Sequence, residues 1–274
     1  MKPQQCHLKI IFIFALAVSL TLPCSLKAQS LTFPSPWGGK RELKEFIKEE
    51  MVYPENALRQ KTEGTVKFSF VVNKDGSISD LKIVRSVSPE IDDEALRIFR
   101  KILWKPAERI GEPVNYVYSY EIKFDIKKYK KACKARGYTE LFYPFEPVDK
   151  SDKIYSLKEV TRTPSPVFSS RDCNFSTFIA NNLKYPEAAF KQAVSGVVKL
   201  KFVVEPTGRI SNIVAEKRVG AGCTEEAIRV VKLLRWNPGV RNTKAVRTFM
   251  TIEIAFNVAE KTVKGKIPTP GQVY

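Results

Sequence analysis

The segments VYPENALRQ (52–60) and KYPEAAFKQ (184–192) are nearly the same nine residues, and this recurrence decides the fold. Upstream, Pro34-Ser35-Pro36 matches Pro164-Ser165-Pro166 at an offset of 130, and an offset of 132 residues then continues without a gap to the end of the repeat. It relates Tyr53 to Tyr185, Gly64 to Gly196, Phe70 to Phe202, Gly76 to Gly208, Trp104 to Trp236 and Phe124 to Phe256. Roughly a third of the aligned positions are identical, as expected for two copies of one supersecondary unit. The pattern therefore indicates a duplicated domain.

The first 28 residues have the pattern of a secretory signal. Lys2 and Lys9 precede an apolar run from Ile10 to Leu22, and a short polar stretch ends at Ala28. The run is shorter than the roughly 20 apolar residues that a membrane-spanning helix needs. This favours cleavage after Ala28 over retention as an anchor, and predicts a periplasmic, envelope-associated protein.

The composition is strongly basic, with a formal charge of +17 that becomes +14 when residues 1–28 and their three lysines are removed. For an exported chain this charge indicates acidic lipid, lipopolysaccharide or protein surfaces rather than nucleic acid, or simply a well-solvated surface. The only histidine is His7, inside the signal. Histidine-dependent nucleophilic sites and the common histidine-bearing zinc sites are thereby excluded from the mature chain, and we expect no cofactor or metal.

Three cysteines remain after the signal, namely Cys133, Cys173 and Cys223. Cys173 and Cys223 both belong to the second copy and each precedes a predicted helix. In an oxidising compartment they are the best candidates for a disulfide, although three unpaired thiols fit the sequence nearly as well.

Each copy reads as an α+β domain with a small antiparallel sheet and helices packed on one face. Short helices are predicted over 43–50 and 175–182, followed by a new helical turn at Pro54 and Pro186. Period-two alternation predicts strands after Gly64 and Gly196, hairpin turns that end at Gly76 and Gly208, and second strands from Ser77 and Arg209. Further helices are expected from Asp92 and Thr224 to Trp104 and Trp236, before closing strands over 114–126 and 246–258. Both tryptophans are predicted to be largely buried between helix and sheet.

The segment between the copies begins as a lysine-rich stretch and reads as a linker. Ile154 to Val160 is a candidate extra strand that leads into the second copy. We therefore expect a signal peptide over 1–28, a first domain over 29–126, a basic linker over 127–153, a second domain over 154–258 and a flexible tail over 259–274.

The order of these motifs resembles the C-terminal domain of TonB, a protein that couples a proton-driven motor in the inner membrane to outer-membrane receptors. The second copy carries the resemblance at Phe175, Phe178, Ile179, Asn182, Tyr185, Pro186, Ala189, Gly196, Val198, Phe202, Val203, Val204, Gly208, Ile210, Glu225, Glu226, Ala227, Arg229, Trp236, Pro238 and Gly239. The first copy retains much of the pattern but has Glu50 for the asparagine and Ala107 for the final glycine.

The resemblance implies a non-enzymatic domain that binds a short receptor segment by adding it as a strand to its sheet. A retained transmembrane helix and a long proline-rich span, two features of TonB itself, are not evident in the sequence. We therefore expect the fold and the strand binding to carry over, rather than the energy-transducing role. The acidic pairs Asp92-Asp93 and Glu225-Glu226 lie at predicted helix starts and are not expected to be catalytic.

We hypothesise that a closing strand binds an extended segment of an envelope or outer-membrane transport protein, in support of TonB-dependent transport. The better candidate is the edge over 246–257, with its first-copy equivalent as the second choice. The candidate contact residues are Thr248, Thr251, Glu253, Asn257, Ser119, Glu121 and Lys123. Alternatively, the protein is a basic envelope module that binds acidic glycan or lipid surfaces through Lys127, Lys128, Lys130, Lys131, Lys134 and Arg136.

Overall fold

The computed structural model describes residues 31–168, 173–259 and 262–267. The expected signal peptide lies outside these residues. Each copy has its own hydrophobic core, and the two cores hold equivalent side chains. Trp104 and Trp236 are 2% and 1% exposed, so the prediction that both are buried is confirmed. No helix in the described ranges is long and apolar enough to cross a membrane.

The first copy forms a three-stranded antiparallel sheet with helices packed on one face, together with two small accessory sheets. Its elements are β1 (Leu31–Thr32), β2 (Ser35–Pro36), α1 (Gly39–Glu50), α2 (Glu55–Gln60), β3 (Gly64–Val72), β4 (Ile78–Arg85), α3 (Pro89–Arg100), β5 (Trp104–Lys105), β6 (Ala107–Arg109), β7 (Glu112–Val114) and β8 (Tyr116–Phe124). The strand order β4-β3-β8 leaves β3 in the middle of the main sheet.

Between the copies lie α4 (Ile126–Arg136) and β9 (Ile154–Tyr155). The second copy then repeats the first and adds a strand at its end. Its elements are β10 (Ser165–Val167), α5 (Phe175–Asn182), α6 (Glu187–Lys191), β11 (Gly196–Val204), β12 (Ile210–Lys217), α7 (Cys223–Val231), β13 (Arg235–Asn237), β14 (Gly239–Arg241), β15 (Lys244–Asn257) and β16 (Thr262–Lys266). The predicted α+β class and tandem architecture are confirmed.

The central strands of the two copies share one pairing register. Gly64 pairs with Phe124 in the first copy, and Gly196 pairs with Phe256 in the second, so both partners shift by the same offset. Since a slip of one residue would turn every side chain to the opposite face, this agreement shows that the two sheets bury equivalent positions.

The tyrosine of each Tyr-Pro segment fixes the chain at the turn between helix and sheet. The Tyr53 hydroxyl donates to the carbonyl oxygen of Thr62 at 2.6 Å, and the Tyr185 hydroxyl donates to that of Val194 at 2.5 Å. The following prolines have φ near −60° and lie directly before α2 and α6. The repeated segment is therefore a structural junction, and its chemistry is hydrogen bonding to the local backbone.

The glutamate of each Glu-Ala-x-Arg segment ties the third helix to the same junction. Glu94 accepts a hydrogen bond from the backbone N–H of Val52 at 2.7 Å, and Glu226 does the same for Lys184. The hydrogen bond from the Arg229 guanidinium lowers the pKa of Glu226, which keeps the acceptor charged at neutral pH. These acids therefore hold the third helix of each copy to the junction.

The third helix begins and ends earlier than the sequence analysis predicted. In the first copy Ser88 caps it, with the serine oxygen accepting the N–H of Ile91 at 3.4 Å, while Asp92 accepts the N–H of Val87 at 3.0 Å. Pro89 follows the cap at the first helical position, which is a stronger start signal than an acid in the first turn. The helix ends at Arg100, so Trp104 lies in the short strand β5.

The segment expected to be a basic linker begins with helix α4, which belongs to the first copy. Asp125 caps its start and Gly137, with φ of 81°, ends it. Tyr129 and Cys133, one helical turn apart, are buried against the core, while the Arg136 guanidinium donates to three backbone carbonyls at the end of α1. The prediction was wrong because the lysines masked an apolar pair with helical spacing.

Of the two alternatives for Cys173 and Cys223, the disulfide is not formed, since both are free thiols. Cys223 is fully buried in the first turn of α7, and Cys173 is partly exposed ahead of α5. Burial raises the pKa of the Cys223 thiol, and so keeps it protonated and unreactive. Packing in the core, rather than cross-linking, accounts for this cysteine.

The copies are packed against each other, with α1 of the first on β12 of the second. The Asn212 side chain donates to the carbonyl of Lys101 at 2.9 Å and accepts the N–H of Leu103 at 2.8 Å. Trp37 stacks on Phe249 with ring centroids 5.8 Å apart. The first copy thereby packs on part of one face of the second sheet.

Candidate binding edges of the two sheets

Strand addition needs a row of backbone N–H and C=O groups at the free edge of a sheet. The candidate sites are therefore the outer edges of β8 and β15, the closing strands of the two copies. The duplication makes these two edges equivalent in sequence, but different segments of the chain lie next to each of them.

The edge over 246–257, which the sequence favoured, is largely occupied. On the side away from β11, β9 pairs with residues 247–248 and β16 pairs with residues 253–257. Ala245 pairs with Val148 on one side and with β14 on the other. Only residues 249–252 have no strand on that side within the described chain. The prediction that this strand is the open edge was wrong, because segments on both sides of the domain return to pair with it.

The four contact residues predicted on β15 differ in exposure. Thr248, expected to face outward, is fully buried, and its hydroxyl donates to the carbonyl of Val246 at 3.3 Å. Thr251, Glu253 and Asn257 are half-buried, and the last two lie opposite residues of β16. Thr248, Glu253 and Asn257 therefore lie in paired parts of β15, whereas Thr251 lies in the short stretch 249–252 that has no strand on its outer side within the described chain.

The equivalent strand of the first copy has an open side. β8 pairs with β3 over nine consecutive residues, from Tyr116 opposite Val72 to Phe124 opposite Gly64. Among the described residues no strand pairs with its other side. The chain after β8 turns away into α4, whereas the chain after β15 returns as β16. This divergence after the closing strand is what leaves β8 free.

The other outer strand of that sheet, β4, is less suited to pairing. Its register with β3 shifts twice, and Asp80 has a positive φ of 51°. Irregularities of this kind twist an edge away and are a common protection against unwanted pairing. β8 is thus the regular edge of the first copy.

The side chains of β8 form two different faces beside this edge. Toward the helices, Tyr118 and Tyr120 are half-buried and pack edge-to-face on Trp104, with centroid distances of 5.7 and 5.6 Å. Burial raises the pKa of Tyr120 to about 12, so its phenol stays neutral. A segment added to β8 would meet aromatic rings on this face.

The opposite face carries the three residues predicted on this strand, and all of them are exposed. Ser119, Glu121 and Lys123 alternate along it, as the period of two predicts. The Glu121 carboxylate is 3.1 Å from the guanidinium of Arg85 and 3.6 Å from the ammonium of Lys67. The face is polar beyond the exposed Val117 at its start, and its one acid is held by two cations.

No cluster of three or more histidine, cysteine or acidic side chains suited to a metal ion occurs in the described ranges. Sequence reasoning missed the pairing of β9 and β16 with β15. Ile154 to Val160 was noted as a candidate strand, and residues 154–155 do form one, but nothing in the sequence gave its partner. The alternation of apolar and polar residues around Val263 could have predicted β16, but this segment was expected to be a flexible tail.

Comparison with a protein-family model agrees with this architecture. The model of the Gram-negative bacterial TonB protein C-terminal family matches residues 49–126 and 181–258, together more than half of the chain. A search of curated proteins finds no match. Among solved structures, the chain is similar to the NMR solution structure of the Helicobacter pylori TonB C-terminal domain, residues 179–285. That match has 24% identity, covers 31% of this chain and 79% of that chain, and has a TM-score of 0.24.

The matched family is one of protein-interaction domains from the Gram-negative cell envelope, and not of enzymes. Both matched segments begin at the end of the first helix of a copy and end just after its closing strand. The chain therefore belongs to the TonB C-terminal family and carries two copies of its domain in tandem.

Proposed function

We propose that this is a non-enzymatic periplasmic protein that binds an extended segment of an envelope or outer-membrane transport protein, in support of TonB-dependent transport. The segment adds as a strand to the outer edge of β8. The observation that supports this most directly is the nine-residue register of β8 with β3 and its open second side in the described chain.

Affinity in this mode comes from main-chain hydrogen bonds, and selectivity comes from alternate side chains of the added segment. One set of those side chains meets the rings of Tyr118 and Tyr120, and the other meets Ser119, Glu121 and Lys123. The partner is therefore a protein segment in extended conformation, with apolar or aromatic side chains on one face.

The second copy has a supporting role in this proposal. Its equivalent edge is paired within the chain, and it is attached to the first copy through Asn212 and the ion pair of Arg209 with Glu49. The ammonium of Lys232 is 2.8 Å from the Glu42 carboxylate in the same interface. Through these contacts the second copy fixes α1, and so holds the sheet of the first copy in place.

The test begins with a pull-down of the tagged mature protein from envelope extract. Amide hydrogen exchange of the free and bound protein then maps the contact. We expect slower exchange at alternate amides of Tyr116–Phe124 on binding, with no change in β15. Ser119→Pro should abolish binding, since proline lacks the N–H and cannot lie in a paired strand. Ser119→Ala, which keeps the backbone donor, should bind normally.

The comparison requires that Ser119→Pro remains folded by circular dichroism. Protection that appears in β15, or undiminished binding by the folded proline variant, would exclude the β8 edge. Thr251 lies at the equivalent position of the second copy, so Thr251→Ala serves as a matched control and should leave binding unchanged.

A second candidate function, binding to anionic lipid or glycan surfaces, is supported by the geometry of α4. Its buried side faces the first copy, and five lysines share its exposed side. They are Lys127, Lys128, Lys130, Lys131 and Lys134. Raising the salt concentration in the same pull-down separates the two functions, because headgroup binding is screened by salt and strand addition is not.

A further inference from the structure

The contact between the two copies joins two different surfaces. The first copy contributes Trp37 and the backbone of residues 101–103. The second copy contributes the outer face of its sheet at Phe249, together with Asn212 of β12. Because the copies repeat one unit, each copy also carries the equivalent of the surface that the other one uses. A contact between unlike surfaces leaves both of these equivalents unused within the chain.

The unused receiving face lies on the sheet of the first copy. Val117 has the position of Phe249, but it is 67% exposed, whereas Phe249 stacks on Trp37. Val71 pairs with Val117 in the same register in which Val203 pairs with Phe249. Val203 is fully buried and Val71 is only half-buried. The first copy thus has an open apolar patch at the place where the second copy is covered.

The unused docking surface lies on the second copy. The prolines before Trp37 and Val167 pair with the tryptophans of their own copies in the same way, so these two residues are equivalent. Lys101, whose carbonyl accepts from Asn212, is equivalent to Leu233. Val167 is 46% exposed and Leu233 is 52% exposed. Apolar side chains therefore lie open at the positions that, in the first copy, are in contact with the second.

A polar contact of the existing interface also has its equivalent. Asn212 and Asp80 occupy the same position of the repeat, and both have left-handed backbone, with φ of 50° and 51°. Their side chains are therefore presented in the same way. Asn212 accepts the N–H of Leu103, and the equivalent of Leu103 is Arg235, which is exposed and basic. The exposed acid Asp80 matches this cation in charge.

We propose that chains of this protein associate head to tail. The second copy of one chain docks on the outer sheet face of the first copy of the next chain, and this repeats the contact that joins the copies within each chain. Val167 of one chain then meets Val117 of the next, and the backbone at Leu233 lies beside Asp80. Since the contact joins unlike surfaces, it extends into rows or closes into a ring. The proposal goes beyond segment binding at β8 and does not depend on it.

Sedimentation of the mature protein tests this contact. Surfaces joined by a tether have an effective concentration of about millimolar, so association between chains is followed up to about 1 mM. We expect the average mass of the wild type to rise with concentration. Val117→Lys and Val167→Lys should each remain monomeric, because the contact would bury an unpaired ammonium group. Ile110→Lys adds the same charge at an exposed apolar residue in the turn between β6 and β7, and this matched control should associate like the wild type.

The two monomeric variants should complement each other. Val117→Lys keeps an intact docking surface, and Val167→Lys keeps an intact receiving face. An equimolar mixture should therefore form a one-to-one dimer that does not grow further, because each partner lacks the surface needed to add a third chain.

Three results would overturn the proposal. The first is a wild type that remains monomeric over the whole concentration range. The second is association that persists in either variant alone, which would indicate a symmetric dimer through another surface. The third is a mixture that remains monomeric. Circular dichroism checks that each variant is folded, and Val117→Gln or Val167→Gln replaces a lysine variant that is not.

Discussion

The buried ion pair of Glu205 and Arg247 leads to the sharpest prediction for stability. Both side chains are 2% exposed. Arg247 donates three hydrogen bonds to the carboxylate, at 2.9, 3.0 and 3.2 Å, and two more to the carbonyls of Asp152 and Lys101. The last of these carbonyls belongs to the first copy, so the pair connects the two halves of the chain.

Glu205→Gln removes the negative charge with little change in volume. Breaking a buried pair by neutralising one partner costs about 3 to 5 kcal/mol, because the other charge stays buried without compensation. Arg247 keeps its two carbonyl acceptors, at 2.9 and 3.0 Å, and this favours the lower end, about 3 kcal/mol. Glu121→Gln, which removes an exposed pair with Arg85, is the matched control and should cost no more than about 1 kcal/mol.

The assay is urea denaturation of both variants and the wild type at several pH values. Burial opposes ionisation of Glu205, but Arg247 and Lys101 outweigh it and lower the pKa of the carboxyl. Because the pKa of Glu205 is lowered in the folded state, its ionised carboxylate stabilises the fold fully at pH values above 4.5, the ordinary pKa. This contribution is lost as the pH falls through the lowered pKa. The difference in the free energy of unfolding between wild type and Glu205→Gln should therefore become smaller at acidic pH. A difference below about 1 kcal/mol at pH 7 would refute this role of the pair.

Two further predictions concern the core and a turn. Trp236→Ala should lower the free energy of unfolding by about 3 to 5 kcal/mol, as large aromatic truncations do, and an unshifted melting temperature would contradict its burial. At Gly208, with φ of 73°, a Cβ would lie 2.4 Å from the backbone oxygen of Trp236, whereas Gly111, with φ of 83°, has open space around it. Gly111→Ala should lower the free energy of unfolding by about 1 kcal/mol through backbone strain, and Gly208→Ala should lower it clearly more. Equal shifts in melting temperature for the two variants would contradict the close contact at Gly208.

The sequence by itself determined the repeated unit. The offset of 132 residues, the alternation after Gly64 and Gly196 and the hairpin turns before Gly76 and Gly208 are local patterns, and local patterns specify strands, turns and their inward faces. They were sufficient to predict the tandem architecture and the buried positions of Trp104 and Trp236. The α4 helix could also have been predicted, because Tyr129 and Cys133 have helical spacing, but the surrounding lysines suggested a linker.

Only the tertiary structure decided which closing strand keeps a free edge. Thr251 and Ser119 are equivalent in sequence, and both strands alternate in the same way. Whether an edge is free depends on what returns to pair with it from distant parts of the chain, and backbone pairing of this kind involves few specific side chains. The short strands β9 and β16 have little sequence signal of their own. Their partner β15 is set by the packing of the whole second copy, for example by the close approach of Gly265 to Phe175.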